Sequence, residues 1–298
     1  MKPLQVIWNI DPEIFRIGSF GLRYYSLMFV MAFLVGYAFM SKIFKKEKVD
    51  ETSLQKLLIY VLLGTIIGAR LGQTLFYEFG YYKDHILEII FPFKIRDGNF
   101  DFTGFQGLAS HGGAIGILLA IYIFCKRKKQ SYLWILDRLV IVVAIAGFFI
   151  RVGNLFNSEI LGKPTDLPWA FVFLRVDAIP RHPSQLYEAI CYLLIFFTLW
   201  ITYQKYGTKI QKGFLFGLFL ILVFSARFFL EYTKENQEPF ESSLPLNMGQ
   251  ILSIPFIVIG AYFIFRKKQN KLNGNKILNH FEKESDHTNY KTINQTKN

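Results

Sequence analysis

LWILDRLVIVVAIAGFFI, residues 133–150, runs without a break into RVGNLFNSEILG, residues 151–162, and this stretch decides the fold class of the chain. Hydrocarbon about 30 Å thick needs about 20 predominantly apolar helical residues to cross it. Residues 133–150 approach that length and read as a membrane span. Working outward, six more stretches read the same way: 20–41, 54–77, 107–125, 185–203, 213–232 and 248–265. The expectation is an all-α polytopic membrane protein with seven transmembrane helices. Composition agrees. Of 298 residues, 52% are hydrophobic and only 19% charged, against about 25% charged in ordinary soluble domains. Mean hydropathy is +0.28. Together these exclude a disordered chain, a disulfide-stapled mini-protein and a charged coiled coil. Cys125 and Cys191 both lie in apolar runs and read as small core hydrophobes, with no disulfide or zinc framework implied.

A net charge of +12 would point to nucleic acid in a soluble protein. In a membrane protein its placement matters more. Lys42, Lys45, Lys46 and Lys48, then Lys126, Arg127, Lys128 and Lys129, then Lys205, Lys209 and Lys212 fall on one side, with eight more in the C-terminal tail. The alternate segments hold about half as many, although most are longer. Lys and Arg concentrate on the cytoplasmic side, so the N-terminus is expected outside and the C-terminus inside. Asp11 and Glu13 precede the first apolar run, which does not read as a cleavable signal peptide. The expected organisation is a membrane domain, 1–265, with a small exterior cap from 78–106 and 151–184. A basic cytoplasmic tail, 266–298, is expected to be disordered and to touch anionic lipid.

Charges at membrane depth are costly, at least about 2.5–3.5 kcal/mol each on insertion scales, so their positions are informative. Arg151 and Asn154 share a helix face if the helix continues past residue 150. Arg offers a fixed fork of donors suited to phosphate oxygens. An interfacial anchor would explain Arg151 alone, but not Asn154, Asn157 and Glu159 beside it. Gly162 fits a tight turn. His111-Gly112-Gly113 near the start of the third span allows close backbone approach, either to a ligand or to a neighbouring helix. Arg227 and Glu231, at i and i+4, read as a structural ion pair or as part of a site. Arg181-His182-Pro183-Ser184-Gln185 opens the fifth span, with polar groups available to a cavity. Gly64, Gly68 and Gly72 repeat every four residues as a helix-packing face, with Arg70 between them. Tyr24 and Tyr25 begin the first span, where an aromatic belt is the plain reading. Under the seven-span topology, Tyr25, His111, Arg151, His182 and Arg227 converge near one leaflet from five spans. That implies one polar cavity open to the outer surface and accepting an anionic amphiphile. An enzyme and a lipid transporter both fit this much.

The same residues resemble the bacterial prolipoprotein diacylglyceryl transferases. The resemblance covers about residues 18–265. It is carried by Arg151-Val152-Gly153-Asn154 with Asn157, Glu159 and Gly162, by His111-Gly112-Gly113, by His182-Pro183-Ser184-Gln185-Leu186-Tyr187-Glu188, by Arg227 with Glu231, and by Met248-Gly249-Gln250. Phe148-Phe149-Ile150 and the length of 78–106 depart from many members. The resemblance implies transfer of a diacylglyceryl group from phosphatidylglycerol to the lipobox cysteine of a preprolipoprotein. The products would be a thioether and glycerol 1-phosphate. It implies the bacterial inner membrane as location, no cofactor or metal, and no nucleic-acid partner.

The residues fit that chemistry. A phosphate ester leaves, and a cationic fork stabilises its developing charge, which points to Arg151 and Arg227. The attacking thiol must become thiolate, and His111 and Glu231 both stand as candidate bases. Tyr25, Asn154, Asn157, Glu159 and Gln185 are expected to hold the headgroup, and Gly162 to shape the outer loop. The alternative, a transporter or flippase of an anionic lipid, should show internal repeats and interrupted helices, and no repeat of fixed period is visible.

Overall fold

A computed structural model describes residues 5–17, 20–90, 93–96, 99–102, 109–235 and 244–266. Among these residues the α-helices are α1 (Tyr24–Lys46), α2 (Glu51–Phe76), α3 (Phe79–Tyr82), α4 (Leu87–Ile90), α5 (Ser110–Lys128), α6 (Tyr132–Phe156), α7 (Ser184–Tyr206), α8 (Phe214–Leu230) and α9 (Met248–Phe265). Seven strands make three small sheets: β1 (Val6–Trp8), β2 (Glu13–Ile17), β3 (Phe20–Arg23), β4 (Phe93–Arg96), β5 (Asn99–Phe102), β6 (Phe171–Phe173) and β7 (Pro180–Arg181). β1 runs parallel to β6, which pairs antiparallel with β7, and β2–β3 and β4–β5 are antiparallel hairpins. Of the tail expected at 266–298, all but Arg266 lies outside the described residues.

Among the described residues, six helices are long and apolar enough to cross a membrane: α1, α2, α6, α7, α8 and α9. The third expected span is α5. It is 19 residues long, but it opens on Ser110-His111 and closes on Lys126-Arg127-Lys128, which shortens its apolar length. Many large apolar side chains point outward from these helices. Leu34 is 61% exposed, Ile201 61% and Val258 63%, as a protein solvated by lipid tails requires. Helices suit that solvent because all their backbone hydrogen bonds are made within the segment.

α6 is the axis of the assembly. It packs against α1 on one side and against α7 and α8 on the other. Ile141, Leu199 and Leu215 are fully or almost fully buried in this core, and Cys125 is buried with them. α6 continues to Phe156, so Arg151 and Asn154 stand on its last turns rather than beyond its end. Tyr24 does not serve as a free interfacial ring: it stacks on Phe156 with centroids 4.5 Å apart. Trp8 also packs on Phe156, which ties the β1–β6–β7 sheet to the end of α6.

The glycine face of α2 meets α5. A Cβ on Gly68 would stand 2.4 Å from the Gly112 carbonyl oxygen, and one on Gly116 2.1 Å from that of Gly64. Only hydrogen fits between these backbones, the arrangement that small residues at four-residue spacing permit. Of the two glycines after His111, Gly112 is thus used for helix packing, whereas a Cβ on Gly113, read in sequence as open to a ligand or a neighbouring helix, would make only ordinary contact with Ala69. Arg70 is spent on structure. Its guanidinium donates to the carbonyls of Glu88 (2.6 Å) and Ile89 (3.3 Å) and lies over the Tyr82 ring, holding α3 and α4 against α2.

Candidate functional site

The C-terminal turns of α6, the first turns of α1 and α7 and the last turn of α8 bring their polar residues together. Arg151 is anchored twice. Its Nε lies 2.7 Å from Glu188 Oε2, and its Nη1 donates to Asn154 Oδ1 at 3.2 Å. Asn154 Nδ2 in turn donates to Glu159 Oε2 at 3.1 Å, and Asn157 Nδ2 to Glu159 Oε1 at 3.0 Å. Gln185 Nε2 donates to the Glu159 carbonyl. A guanidinium gripped on two edges is pre-oriented, so little side-chain freedom remains to be lost when a ligand arrives.

The backbone after α6 aims Glu159. Ser158 and Ile160, on either side of it, have φ of +54° and +57°. A β-branched isoleucine in the left-handed region is strained. The strain is held by the Glu159 amide, which donates to the Asn154 carbonyl at 3.0 Å, and by the side-chain bonds just described. Gly162 does not make the tight turn expected of it: it forms an isolated β-bridge with Lys234, and close approach is what requires a glycine there. A Cβ there would stand 2.3 Å from the His182 carbonyl oxygen and 2.6 Å from Ser184 Oγ. Its own carbonyl accepts from Arg181 Nη1 at 3.3 Å.

Tyr25 sits on the first turn of α1 with its ring against Gly153, where a Cβ would come within 2.9 Å of the ring. Arg151 and Glu159 are both within its electrostatic reach. The tyrosine is therefore part of the cluster.

Two further expectations change. Arg227 and Glu231 do not pair. Glu231 Oε2 accepts from Lys234 Nζ at 3.2 Å, and Lys234 Nζ also donates to Glu188 Oε1 at 2.7 Å. The chain turns from α8 into a 3-10 segment, Glu231–Thr233, which swings the carboxylate away from the α8 face that carries Arg227 and against Gly249 of α9. Arg227 is left half-buried, with no hydrogen bond or ion pair among the described residues, and faces Tyr192 electrostatically as Arg151 does. His111 is the second change. It stands exposed on the first turn of α5, with no hydrogen bond or ion pair among the described residues. No hydrogen bond or ion pair among the described residues joins it to the Arg151 network, and the glycines that follow it are packed against α2.

Glu188, Tyr192 and Lys234 are central here; Glu188 enters the sequence reading only within the 182–188 motif, and none of the three has a role in it. A signal existed: Gln185, Glu188 and Tyr192 recur at the spacing of one face of α7. Lys234 follows Glu231 by three. Outside the spans, burial pushes His182 below its usual range, and its Nδ1 is 3.3 Å from the Tyr187 hydroxyl. Arg181 holds the Asp177 carboxyl below its usual range and also binds Glu235, locking β7 over the site. Among the described residues no set of three or more His, Cys, Asp or Glu converges as metal ligands.

The arrangement is one arginine braced by a carboxylate and an asparagine, a second arginine with no hydrogen bond or ion pair among the described residues, and amide and carboxylate groups around them. The chain belongs to the prolipoprotein diacylglyceryl transferase family, whose model matches residues 12–266. It is similar to the phosphatidylglycerol–prolipoprotein diacylglyceryl transferase of Bacteroides fragilis, with 46% identity over 263 residues covering 88% of this chain and 95% of that protein. The transferase of the same name from Chloroherpeton thalassium is 46% identical over 269 residues, covering 90% and 96%. That of Tolumonas auensis is 44% identical over 267 residues, covering 89% and 99%.

Proposed function

We propose that this protein transfers the diacylglyceryl group of phosphatidylglycerol to the thiol of a lipobox cysteine in preprolipoproteins. The sulfur forms a bond to the glyceryl carbon as that carbon's bond to the phosphate oxygen breaks. The thiol proton goes to a base, and glycerol 1-phosphate leaves with the electron pair. The observation that carries this reading is Arg227, half-buried, with no hydrogen bond or ion pair among the described residues, and facing Tyr192 as the braced Arg151 does. A buried cation without a carboxylate is costly, and a phosphodiester supplies the missing charge. Arg151 and Arg227 bind the phosphate and stabilise the charge on the leaving oxygen. Tyr25, Asn154, Asn157, Glu159 and Gln185 hold the headgroup glycerol. Asn157 Oδ1 and Gln185 Oε1 are buried acceptors without a donor, and glycerol hydroxyls are donors. Glu231 stands in the network and His111 on α5, and each remains a candidate base.

The chain is read as lying in the bacterial cytoplasmic membrane, with the N-terminus and the Arg151 network on the outer side and the basic segment 266–298 as a cytoplasmic tail on anionic lipid. A transporter would need helices interrupted near the midplane, whereas α6, α7 and α8 are continuous from end to end.

The test uses purified protein, phosphatidylglycerol and a lipobox peptide, read by mass spectrometry. The expected product is a hydroxylamine-resistant adduct heavier by one diacylglyceryl group, with one glycerol phosphate released per adduct. It should persist in a Cys125→Ser, Cys191→Ser variant. A hydroxylamine-labile acyl adduct, or release of a lysolipid, would falsify the reading.

A further inference from the structure

α2 and α5 are zipped together by their glycines, and α1 packs closely along α6. Between these two pairs contact is sparse. An apolar cavity of about 260 Å³ occupies the seam. Its lining runs from Phe29 and Ile150 at one end to Met40 and Leu54 at the other. Thr65 and Tyr37 are the polar side chains in its wall, and the Thr65 hydroxyl is spent on the Val61 carbonyl at 2.7 Å. No water-seeking group therefore marks it as a solute site.

Two features tie the cavity to the Arg151 network. Ile150 directly precedes Arg151, and Phe29 lies one turn along α1 from Tyr25. The cavity begins where the network ends and runs away from it. From Phe29 to Met40 is eleven residues of helix, about 17 Å at 1.5 Å per residue. One leaflet of a hydrocarbon core about 30 Å thick is about 15 Å deep. The depth matches one lipid chain hanging from a headgroup at the network.

We propose that the seam is an acyl-chain gauge. One acyl chain of the phosphatidylglycerol held at Arg151 lies in it, and Met40, Leu54 and Leu57 form the floor that sets the preferred length. This rests on the function proposed above. Lipid tails are as apolar as leucine, so the cavity gains nothing by hydrophobic burial. It selects by shape. A chain that is too long overlaps the floor, and one that is too short leaves wall atoms without contact partners.

The experiment supplies an equimolar mixture of dilauroyl and distearoyl phosphatidylglycerol with a lipobox peptide, and reads the ratio of the two adducts by mass spectrometry. Ala146→Leu narrows the middle of the cavity and should shift the ratio toward the short chains about tenfold. Met40→Ala lowers the floor and should shift it toward the long chains. Leu34→Ala changes an exposed position on the same helix and should leave the ratio unchanged. If Ala146→Leu fails to accumulate, Ala146→Val and Met40→Ala decide the question. Unchanged ratios in these variants, with the wild-type protein active, overturn the gauge and leave the transferase reading intact. Absence of any diacylglyceryl adduct from the wild-type protein overturns the transferase reading, and the gauge falls with it.

Discussion

Arg138 and Arg151 stand thirteen residues apart on α6, about 20 Å along its axis, and each is the centre of a polar network inside the helical assembly. The Arg138 network is closed. Arg138 Nε and Nη2 grip Glu47 at 3.0–3.1 Å, and its Nη1 donates to the Trp134 carbonyl at 3.4 Å. Glu47 also accepts from Trp134 Nε1 at 2.8 Å and from the Tyr203 hydroxyl at 2.9 Å. Asp137 accepts from the Gly213 and Phe216 amides at 2.7 and 2.9 Å, closing the N-terminus of α8. The Arg151 network uses the same residue types but is left open. Among the described residues Arg227 has no anionic partner, and the buried atoms Asn157 Oδ1, Ser158 Oγ and Gln185 Oε1 have no hydrogen-bond partner. What separates the two networks is whether the protein itself completes the hydrogen bonding, and an incomplete network is what a ligand site would need.

The largest effect that tests this contrast belongs to the closed network. Arg138→Met removes the cationic partner that Glu47, with a side chain 5% exposed, has among the described residues. It should cost about 3–5 kcal/mol of stability, seen as a large drop in thermal midpoint, with turnover per folded molecule little changed. A severe loss of turnover in folded Arg138→Met protein would erase the distinction.

Arg151→Lys is the counterpart. It keeps the charge but loses the planar fork that meets Glu188 and Asn154. Transfer should fall about 10²–10³-fold while the protein remains inserted and folded. Near-normal turnover would return Arg151 to the role of an interfacial anchor.

Arg227→Met sharpens the comparison further, because no carboxylate is stranded by it. Stability should hold or rise slightly, whereas transfer should fall by at least about tenfold through loss of one charge-assisted contact to phosphate. A clear destabilisation would reveal a structural partner and close the network after all. The smallest effect is expected for Asp137→Ala, which uncaps α8 at a cost of about 1–2 kcal/mol. Transfer at permissive temperature should be unaffected, as measured by thermal melts beside the peptide assay.

Much of this was legible before any coordinates. Apolar runs of span length fixed the helical membrane class, since a bilayer admits few other solutions. Gly64, Gly68 and Gly72 announced a packing face because only glycine lets backbones touch. Arg151, Asn154 and Glu159 announced a shared polar network because charged and amide groups are too costly at a span end without partners, and the structure joins them by hydrogen bonds. Their spacing even forecast a shared face, which the continuation of α6 to Phe156 delivers. Asp137 and Arg138, inside the very stretch that decides the fold, carried no such warning, because a closed network differs from an open one only in its partners.

Partner choice was what the tertiary structure alone decided. Sequence spacing offered Arg227 and Glu231 as a pair, but local periodicity knows nothing of the turn after α8 that hands Glu231 to Lys234. Lys234 and Glu188 are 46 residues apart and meet only because α7 and α8 pack together. His111 was offered as a site residue beside its glycines; the structure shows Gly112 binding α5 to α2 and gives His111 no hydrogen bond or ion pair among the described residues. The sequence determines which groups are too costly to leave unpaired in a bilayer. Which group satisfies which is set by helix packing, whose contacts are long-range and unreadable from spacing along one chain.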